Sequence, residues 1–384
     1  MELREKDLDK LREDIDGVDE SIMELFDKRM RISEEIARYK KENGLPVTDI
    51  ERERKKINAM SDSAPDDLKT YSRVLYSLLA EMSKEHQRTK NRDRGRYYEM
   101  YERAMKKSDR VFPTNVTVTC FGSEGTYAQM ACDQFFGMPV ILYFKKYEGV
   151  ISAVAKGLCG YGVIPIETGS HGSNDAVYDL LVENGLSIVR SIKVRLDYNI
   201  AAPRKLTRHE ITELYTTAEA RANCGAFLSK FENIRLVMCD NEAAAAKMAK
   251  ESKVRGAAAI TTYRCAMNYD LEIVEDSIQA EAQRTATFIC VARDFAIYPG
   301  ADKTSLMITM ENRPGELYKV LSKFFVLGIN VTKIETRTMP NRDFETRLYL
   351  DFKASVYSAE FKELIARLDD FGKEIHYLGS YPEI

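Results

Sequence analysis

Arg29 falls four residues after Leu25, on a stripe of apolar side chains where another leucine is expected. The stripe is Leu8, Leu11, Ile15, Val18, Ile22 and Leu25, then Ile32, Ile36 and Tyr39, in the three-four alternation of one face of a long helix. Lys40 comes eleven residues after Arg29, close to three helical turns, so the two cations point the same way about 16 Å apart. Arg12 sits beside the same stripe, one turn from both Leu8 and Ile15. A single arginine in such a place can lay its stem on the apolar face and lift its head into water. A seam of several cations needs anionic partners, because burying an unpaired charge is costly. Asp49, Arg52 and Glu53 share a face at the start of a second helix, and Ser83 and Gln87 lie one turn apart on a third. Three arginines, a lysine, a glutamine and an acid would form a pocket suited to a small dicarboxylate that also bears a hydroxyl and an ether.

Three helices must hold those groups. Gly44 and Pro46 end the first, since glycine caps helices and proline cannot continue one. Thr48 with Glu51 resembles a capping box that opens the second. Pro65 precedes the third, whose apolar side is Leu68, Tyr71, Leu75, Leu78, Leu79 and Met82. From Arg88 to Arg110 the chain is charged, with a basic excess. Lys90, Arg92, Arg94 and Arg96 raise the question of nucleic acid. The stretch reads instead as a solvated helical linker relieved by Tyr97, Tyr98, Met100, Tyr101 and Met105.

After Pro113 the pattern changes. Val116 to Phe121 alternates like a strand, the turn Gly122-Ser123-Glu124-Gly125 follows, and further strands are expected at 161–166, 188–200, 257–261 and 286–292. Helical segments such as Glu242 to Lys250 separate them, which predicts an α/β domain. The last eighty residues read as strand Ser305–Met310, turn Arg313-Pro314-Gly315, helix Leu317–Val326, strands near 329–337 and 344–352, a helix over 358–370 and a strand at 374–380. That βαββαβ order is ferredoxin-like.

Composition bounds the rest. A chain of 384 residues is expected to form two or three domains, with 44% hydrophobic residues for cores and 30% charged residues for surfaces. A net charge of −3 gives no case for a nucleic-acid partner. No apolar run approaches a membrane span, and the charged Met1–Lys6 stretch does not suit a signal peptide. Seven scattered cysteines, never spaced Cys-x-x-Cys, and four isolated histidines predict reduced thiols in a cytoplasm and no metal.

The N-terminal pattern, Leu8, Leu11-Arg12, Ile15-Asp16 and Asp19 with Arg29, Lys40, Asp49, Arg52-Glu53, Ser83 and Gln87, resembles the helical class of chorismate mutases over residues 3 to about 90. The resemblance implies a concerted rearrangement of chorismate to prephenate that needs no nucleophile, only a held conformer and a stabilised transition state. It implies that Arg29 and Arg12 hold the two carboxylates, with Arg12 supplied by the partner subunit. Lys40 and Gln87 would donate to the ether oxygen, Glu53 and Asp49 would meet the ring hydroxyl, and Arg52 and Ser83 would complete the pocket. An interlocked homodimer, or a higher homo-oligomer, follows.

The middle region resembles prephenate dehydratase, through Phe121-Gly122-Ser123-Glu124-Gly125-Thr126-Tyr127-Ala128, Tyr161 to Glu167, Asp179-Leu180-Leu181 and Asn241-Glu242-Ala243-Ala244-Ala245. Several polar positions depart from the family pattern. Ala286-Thr287-Phe288 stands where the family has Thr-Arg-Phe, Thr168 follows Pro165-Ile166-Glu167 in place of asparagine, Leu196 replaces a histidine, and Thr216-Thr217-Ala218-Glu219 replaces Ser-His-Pro-Gln. Compensation would come from Arg284, Thr285 and Thr287 beside the lost pair and from the hydroxyls of Thr126, Thr168 and Ser170, with Thr287 taking a catalytic part only if a bulge re-aims it. Thr126, Glu167, Thr168, Ser170, Thr287 and Phe288 are expected to line the dehydratase pocket. An active dehydratase and a catalytically inactive sensor or dimerisation module both stay open.

The tail resembles an ACT domain, through Glu311-Asn312-Arg313-Pro314-Gly315-Glu316-Leu317 and Gly328-Ile329-Asn330 to Arg337. Such domains bind phenylalanine between paired subunits, which puts Arg313, Pro314, Gly315, Leu317, Asn330 and Glu335 near that ligand, with Glu316 where alanine is usual. The chain as a whole resembles the bifunctional chorismate mutase–prephenate dehydratases of phenylalanine synthesis. The expected architecture is an all-α mutase over 1–90 and a charged helical linker over 91–112. A periplasmic-binding-protein-like α/β dehydratase domain over 113–298 and an α+β ferredoxin-like ACT domain over 303–384 complete it. No cofactor is expected for either step.

Overall fold

The computed structural model describes residues 2–45, 49–91, 95–107, 111–168, 172–173, 175–231, 233–280, 284–338 and 344–384. It divides into two compact units, Met1–Gly95 and Arg96–Ile384.

The first unit is helical: α1 (Glu2–Glu42), α2 (Ile50–Asp62) and α3 (Lys69–Asn91). With 41 residues, α1 is about 60 Å long. Gly44, at φ +64°, ends it in a left-handed cap, with Leu45 N–H on the Lys40 carbonyl at 2.8 Å and Gly44 N–H on Lys41 at 3.3 Å. The cap of α2 is Asp49, whose carboxylate accepts from Arg52 N–H at 3.0 Å, rather than the expected Thr48, which lies outside the described residues. The C-terminal half of α1 is covered in part by α3, on the face of Ser33 and Ala37, while Ile32, Ile36 and Tyr39 of the expected apolar stripe are exposed. Ser33 and Ala37 are buried against α3, whereas Leu8, Leu11, Ile15, Val18, Ile22 and Leu25 are all exposed.

The second unit begins with α4 (Arg96–Lys107). This helix lies in the stretch read as a solvated linker, yet it buries Tyr97, Tyr101 and Ala104. Their spacing of four and three forms a narrow apolar face, and Tyr101 Oη donates to the Val356 carbonyl at 2.9 Å.

The α/β part has two lobes. One holds β1 (Thr117–Phe121), α5 (Tyr127–Phe136), β2 (Val140–Phe144), α6 (Tyr147–Ala155), β3 (Tyr161–Thr168), β4 (Gly172–Ser173), α7 (Asp175–Glu183) and β5 (Ser187–Arg195). The chain then crosses to β6 (Asn199–Ala202), β7 (Glu213–Thr216), α8 (Ala218–Asn223), α9 (Gly225–Leu228), β8 (Arg235–Met238), α10 (Glu242–Glu251), β9 (Ala257–Thr261), α11 (Tyr263–Asn268) and β10 (Glu272–Glu275). It returns to the first lobe as β11 (Thr285–Ala292). The sheets run β2-β1-β3-β11-β5, with β4 on β3, and β10-β6-β9-β7-β8. The single strand expected over 188–200 is therefore two, split where Leu196–Tyr198 passes between lobes. The strands with no reading in the sequence, β2, β4, β7, β8 and β10, are short, and β2, β8 and β10 lie at sheet edges without a fully buried face.

Hydrogen bonds pin the two crossings. Tyr127 Oη donates to the Asp197 carbonyl at 2.7 Å and accepts from Asp197 N–H at 2.9 Å, while Asp197 Oδ1 accepts from Ser277 Oγ at 2.9 Å. Gly125, at φ +88°, lets the lobes touch, because a Cβ there would lie 2.8 Å from Cys265 Sγ.

The C-terminal part is β12 (Lys303–Glu311), α12 (Glu316–Val326), β13 (Asn330–Thr338), β14 (Glu345–Lys353), α13 (Ala359–Ala366) and β15 (Glu374–Tyr381). Its antiparallel order β13-β14-β12-β15 is ferredoxin-like. The helix expected over 358–370 stops at Ala366, and a single 3-10 turn, Leu368–Asp370, follows.

Candidate active sites

In the helical unit, Arg29, Ser33, Ala37 and Lys40 form one line along α1, facing α3. Arg29 Nη1 donates to the Leu79 carbonyl at 2.8 Å and also to Ser83 Oγ. Burial pushes the Arg29 pKa below its ordinary value, but an arginine keeps its charge. Gln87 Nε2 donates to Ser33 Oγ at 2.8 Å, and Ser33 Oγ reaches the Ser83 carbonyl at 3.4 Å. The second N–H of that amide has capacity for a ligand, and Gln87 Oε1 is buried with no hydrogen-bond partner among the described residues. Glu53 is held by Lys84 at 2.9 Å, and Lys84 also bonds Glu81 at 2.7 Å. Lys40 is half-buried. A fixed guanidinium, an amide and a braced carboxylate thus sit on α1, α2 and α3.

Three expected members are arranged differently. Arg12 is exposed and paired with Asp9 at 3.0 Å, and 17 residues of helix, about 25 Å, separate it from Arg29. One chain therefore does not bring these two arginines together. Asp49 and Arg52 are exposed, and the Asp49 carboxylate is engaged as the helix cap. Ser33 and Lys84 were not read as site residues. Ser33 had a signal, being four residues past Arg29 and therefore on the same helix face. Lys84 had none, since its partner depends on how α2 meets α3.

In the second unit, a cleft between the lobes is lined by Gly122, Thr126, Tyr127, Pro165, Leu196, Glu219, Asn241, Glu242, Ala286 and Phe288, among others. Thr126 and Phe288 are where the sequence led. Thr126 Oγ1 donates to the Ser123 carbonyl at 2.8 Å. Glu167 and Thr287 are not in the cleft. β3 carries a bulge, so that Thr287 pairs with Glu167 but Phe288 pairs with Pro165, leaving Ile166 as the extra residue. The bulge turns Glu167 to the face of Ile164, Ile166 and Ile289, away from Ala286 and Phe288. There Thr287 Oγ1 donates to Glu167 at 3.0 Å and Lys333 Nζ of β13 bonds Glu167 at 2.5 Å. The expected catalytic role of Thr287 is thereby corrected: the bulge is present but re-aims Glu167, not Thr287. The Thr168 side chain and Ser170 lie outside the described residues.

Burial raises the Glu167 pKa, but the bond and charge of Lys333, with the Thr287 hydroxyl, outweigh it and leave the carboxyl below its ordinary value. A depressed carboxyl stabilises the fold above its unfolded pKa and ceases to do so as pH falls through the folded value. Melting temperatures of the parent and Glu167→Gln should therefore differ at neutral pH and converge below about pH 4. A gap of constant size down to acid would show that the ion pair does not stabilise the fold.

Two residues that the sequence shows only within motifs, with no role of their own, also line the cleft: Glu219, at the last position of Thr216-Thr217-Ala218-Glu219, and Glu242. Glu242 is 8% exposed, and burial raises its pKa. Burial, then the charge of Glu242, push the Glu219 carboxyl up to about 7, with Arg284 opposing. Glu219 Oε1 is buried with no hydrogen-bond partner among the described residues. No arginine or lysine lines the cleft among the described residues.

In the C-terminal part, Gly315 opens α12 at φ +91°, Arg313 pairs with Glu311 at 2.8 Å, and Glu316 pairs with Lys319 at 2.8 Å. Asn330 is exposed, and Leu317 lies at the start of α12 beside Pro314-Gly315. Glu335 shares the β13 face of Lys333 and Arg337, which meets α7 and β3, with Arg337 on Asp179 at 2.7 Å. One chain therefore does not gather Glu335 with the Arg313–Gly315 turn. Among the described residues no cluster of three or more His, Cys, Asp or Glu side chains is placed to hold a metal ion, and no helix is long and apolar enough to cross a membrane.

Comparison with known proteins matches residues 11–88 to chorismate mutase type II and residues 118–296 to prephenate dehydratase. The chain is 25% identical over 378 residues, 98% of each chain, to the bifunctional chorismate mutase/prephenate dehydratase of Pseudomonas aeruginosa. It is 30% identical over 287 residues to arogenate dehydratase/prephenate dehydratase 6 of Arabidopsis thaliana, covering 70% of this chain and 69% of that one. Among solved structures, prephenate dehydratase from Arthrobacter aurescens in complex with L-Phe superposes with a TM-score of 0.63 at 24% identity, covering 70% of this chain and 90% of that one. With the helical match in front and the dehydratase match behind it, the chain belongs to the prephenate dehydratase family, in the bifunctional form that carries a chorismate mutase and serves phenylalanine biosynthesis.

Proposed function

We propose that Arg29, Ser83, Gln87, Lys40 and Glu53 bind chorismate and carry it to prephenate, and that the cleft between the lobes dehydrates prephenate to phenylpyruvate. The observation that carries the first step is Arg29, half-buried where an apolar residue is expected and oriented by the Leu79 carbonyl and Ser83. Chorismate given to the full-length protein without cofactors tests the whole reading, by following prephenate and phenylpyruvate together. Both products are expected, with phenylpyruvate forming well above spontaneous breakdown. A second reading, a mutase joined to a dehydratase-shaped sensor, is favoured by Ala286 and Leu196 in the cleft lining. Prephenate accumulating alone would support it.

The mutase site is shared between two copies. The exposed Leu8, Leu11, Ile15, Val18, Ile22 and Leu25 need a cover, and a second α1 laid along them brings its Arg12 to the Arg29 pocket. Ile15, 60% exposed in one chain, is central to that stripe. Burying an isoleucine is worth about 1.5–3 kcal/mol, and a two-fold interface counts it twice. Ile15→Asp is expected to weaken the dimer about a hundredfold or more, with mutase activity falling in step. Sedimentation and rates across protein concentrations check it, and activity independent of concentration in a monomeric variant would remove the shared site.

Phenylalanine at the C-terminal part, between paired subunits, is the proposed effector. The turn Arg313-Pro314-Gly315 with Leu317 and Asn330 is its binding edge. A cytoplasmic setting fits the seven unpaired cysteines, six of them buried.

A further inference from the structure

Loss of the ring hydroxyl from prephenate requires an acid, and the cleft lacks the threonine expected at Ala286. Hydroxyl-bearing Thr287 faces the other side of the sheet, engaged with Glu167. What the cleft does contain is a pair of carboxyl groups from two different elements. Glu219 comes from the first turn of α8, and Glu242 from the first turn of α10. Both line the cavity with Ala286, Phe288 and Leu196. Glu242 is buried, its side chain bonded to its own backbone N–H. Glu219 has a buried oxygen that accepts no hydrogen bond among the described residues. A deprotonated pair would be costly there, because two like charges would share a site in which Glu242 is buried and Glu219 half-buried.

We propose that Glu219, braced electrostatically by Glu242, is the general acid that replaces the missing threonine and protonates the departing hydroxyl. The proposal rests on reading the cleft as the prephenate site. The carboxyl proton of Glu219 passes to the ring hydroxyl oxygen, and the C–O bond breaks with its electron pair, releasing water. The bond from the ring to its carboxylate breaks in concert, its pair completes the aromatic ring, and carbon dioxide leaves. Glu219 remains as carboxylate and regains a proton from water. One proton is consumed per turnover, as the conversion of a dianion to a monoanion plus carbon dioxide and water requires.

The surroundings keep that proton in place at neutral pH. Facing Glu219 are Glu242 on α10, Arg284 before β11 and Tyr198 on the crossing segment, with Tyr127 of α5 and Cys224 at the end of α8 beside Tyr198. Tyr127, Tyr198 and Cys224 are all pushed upward by burial, so they stay neutral. Arg284 is the one neighbour among these that favours the carboxylate. An arriving dianion adds negative charge and raises the proton affinity of Glu219 further.

The test uses the full chain, with prephenate as substrate and chorismate as control, over about pH 5 to 9. The parent is expected to lose kcat/KM as pH rises through about 7. Glu219→Gln should lower kcat for prephenate by about a hundredfold or more and abolish that pH limb, with mutase activity unchanged. Glu242→Gln should move the limb to lower pH, since it removes the neighbouring charge that raises Glu219. Full activity or an unchanged limb in Glu219→Gln would overturn the assignment, as would faster turnover, which would mean the carboxyl only repels the dianion. No phenylpyruvate from the parent at any pH would overturn the reading of the cleft, and this inference with it.

Discussion

Arg29→Ala is expected to lower kcat/KM for chorismate by about a thousandfold, or roughly 4 kcal/mol of transition-state binding. The argument begins with position. On a helix face that packs against α3, Arg29 is already partly desolvated and already oriented by the Leu79 carbonyl and Ser83. A guanidinium so held meets a carboxylate bidentately with little further ordering. Truncation removes that clamp and leaves the substrate carboxylate to be buried without a partner. Arg29→Lys keeps the charge but not the fork, and should recover only part of the loss. Circular dichroism and melting would show whether the helices persist. An Arg29→Ala protein that folds and keeps parental kcat/KM would sink the assignment of this pocket.

Arg29 is legible in the sequence because it breaks the period of an apolar helix face. Ser33 and Gln87 obey the same logic, since both are polar groups among apolar neighbours, but Ser33 is small enough to pass as filler. Glu167 and Thr287 show the opposite case. The two-residue alternation of a strand puts Glu167 with Pro165 on the cleft side, and only the extra residue at Ile166 turns it over. A bulge leaves no mark in the alternation from which side chains are assigned to faces. Glu219 and Glu242 are 23 residues apart on separate helices, so their meeting depends on the lobe topology alone. The tyrosines of α4 were read as relief within a charged stretch. Their three-four spacing was visible, but the surface that receives them, around Val356 and Phe361, comes from the far end of the chain.

Gly379→Ala should cost about 3 kcal/mol in the second unit and leave the mutase untouched. Gly379 sits in a bulge of β15, where Ser305 pairs with Gly379 but Leu306 pairs with Tyr377, at φ +151°. An added Cβ would lie 2.1 Å from the Ile188 carbonyl oxygen of β5, and a backbone atom inside a sheet cannot retreat as a flexible side chain would. The contact matters because of what β5 touches next. Ser191 N–H donates to the Pro382 carbonyl at 3.1 Å and Ile384 N–H donates to the Ser191 carbonyl at 2.9 Å, which stitches the chain end to β5. β5 pairs in turn with β11, placing Val194 beside Ala286 and Ile192 beside Phe288, both residues of the cleft. The C-terminal sheet therefore leans on the strand that carries the cleft wall, and Lys333 on Glu167 makes a second contact to the same sheet. Urea unfolding with separate assays of the two activities distinguishes the outcomes. Dehydratase activity and any response to phenylalanine should fail at lower urea in Gly379→Ala, while chorismate conversion follows the parental curve. Coincident curves for both activities would mean that β15 can shift from β5 at little cost, and that the C-terminal part is not braced through Gly379.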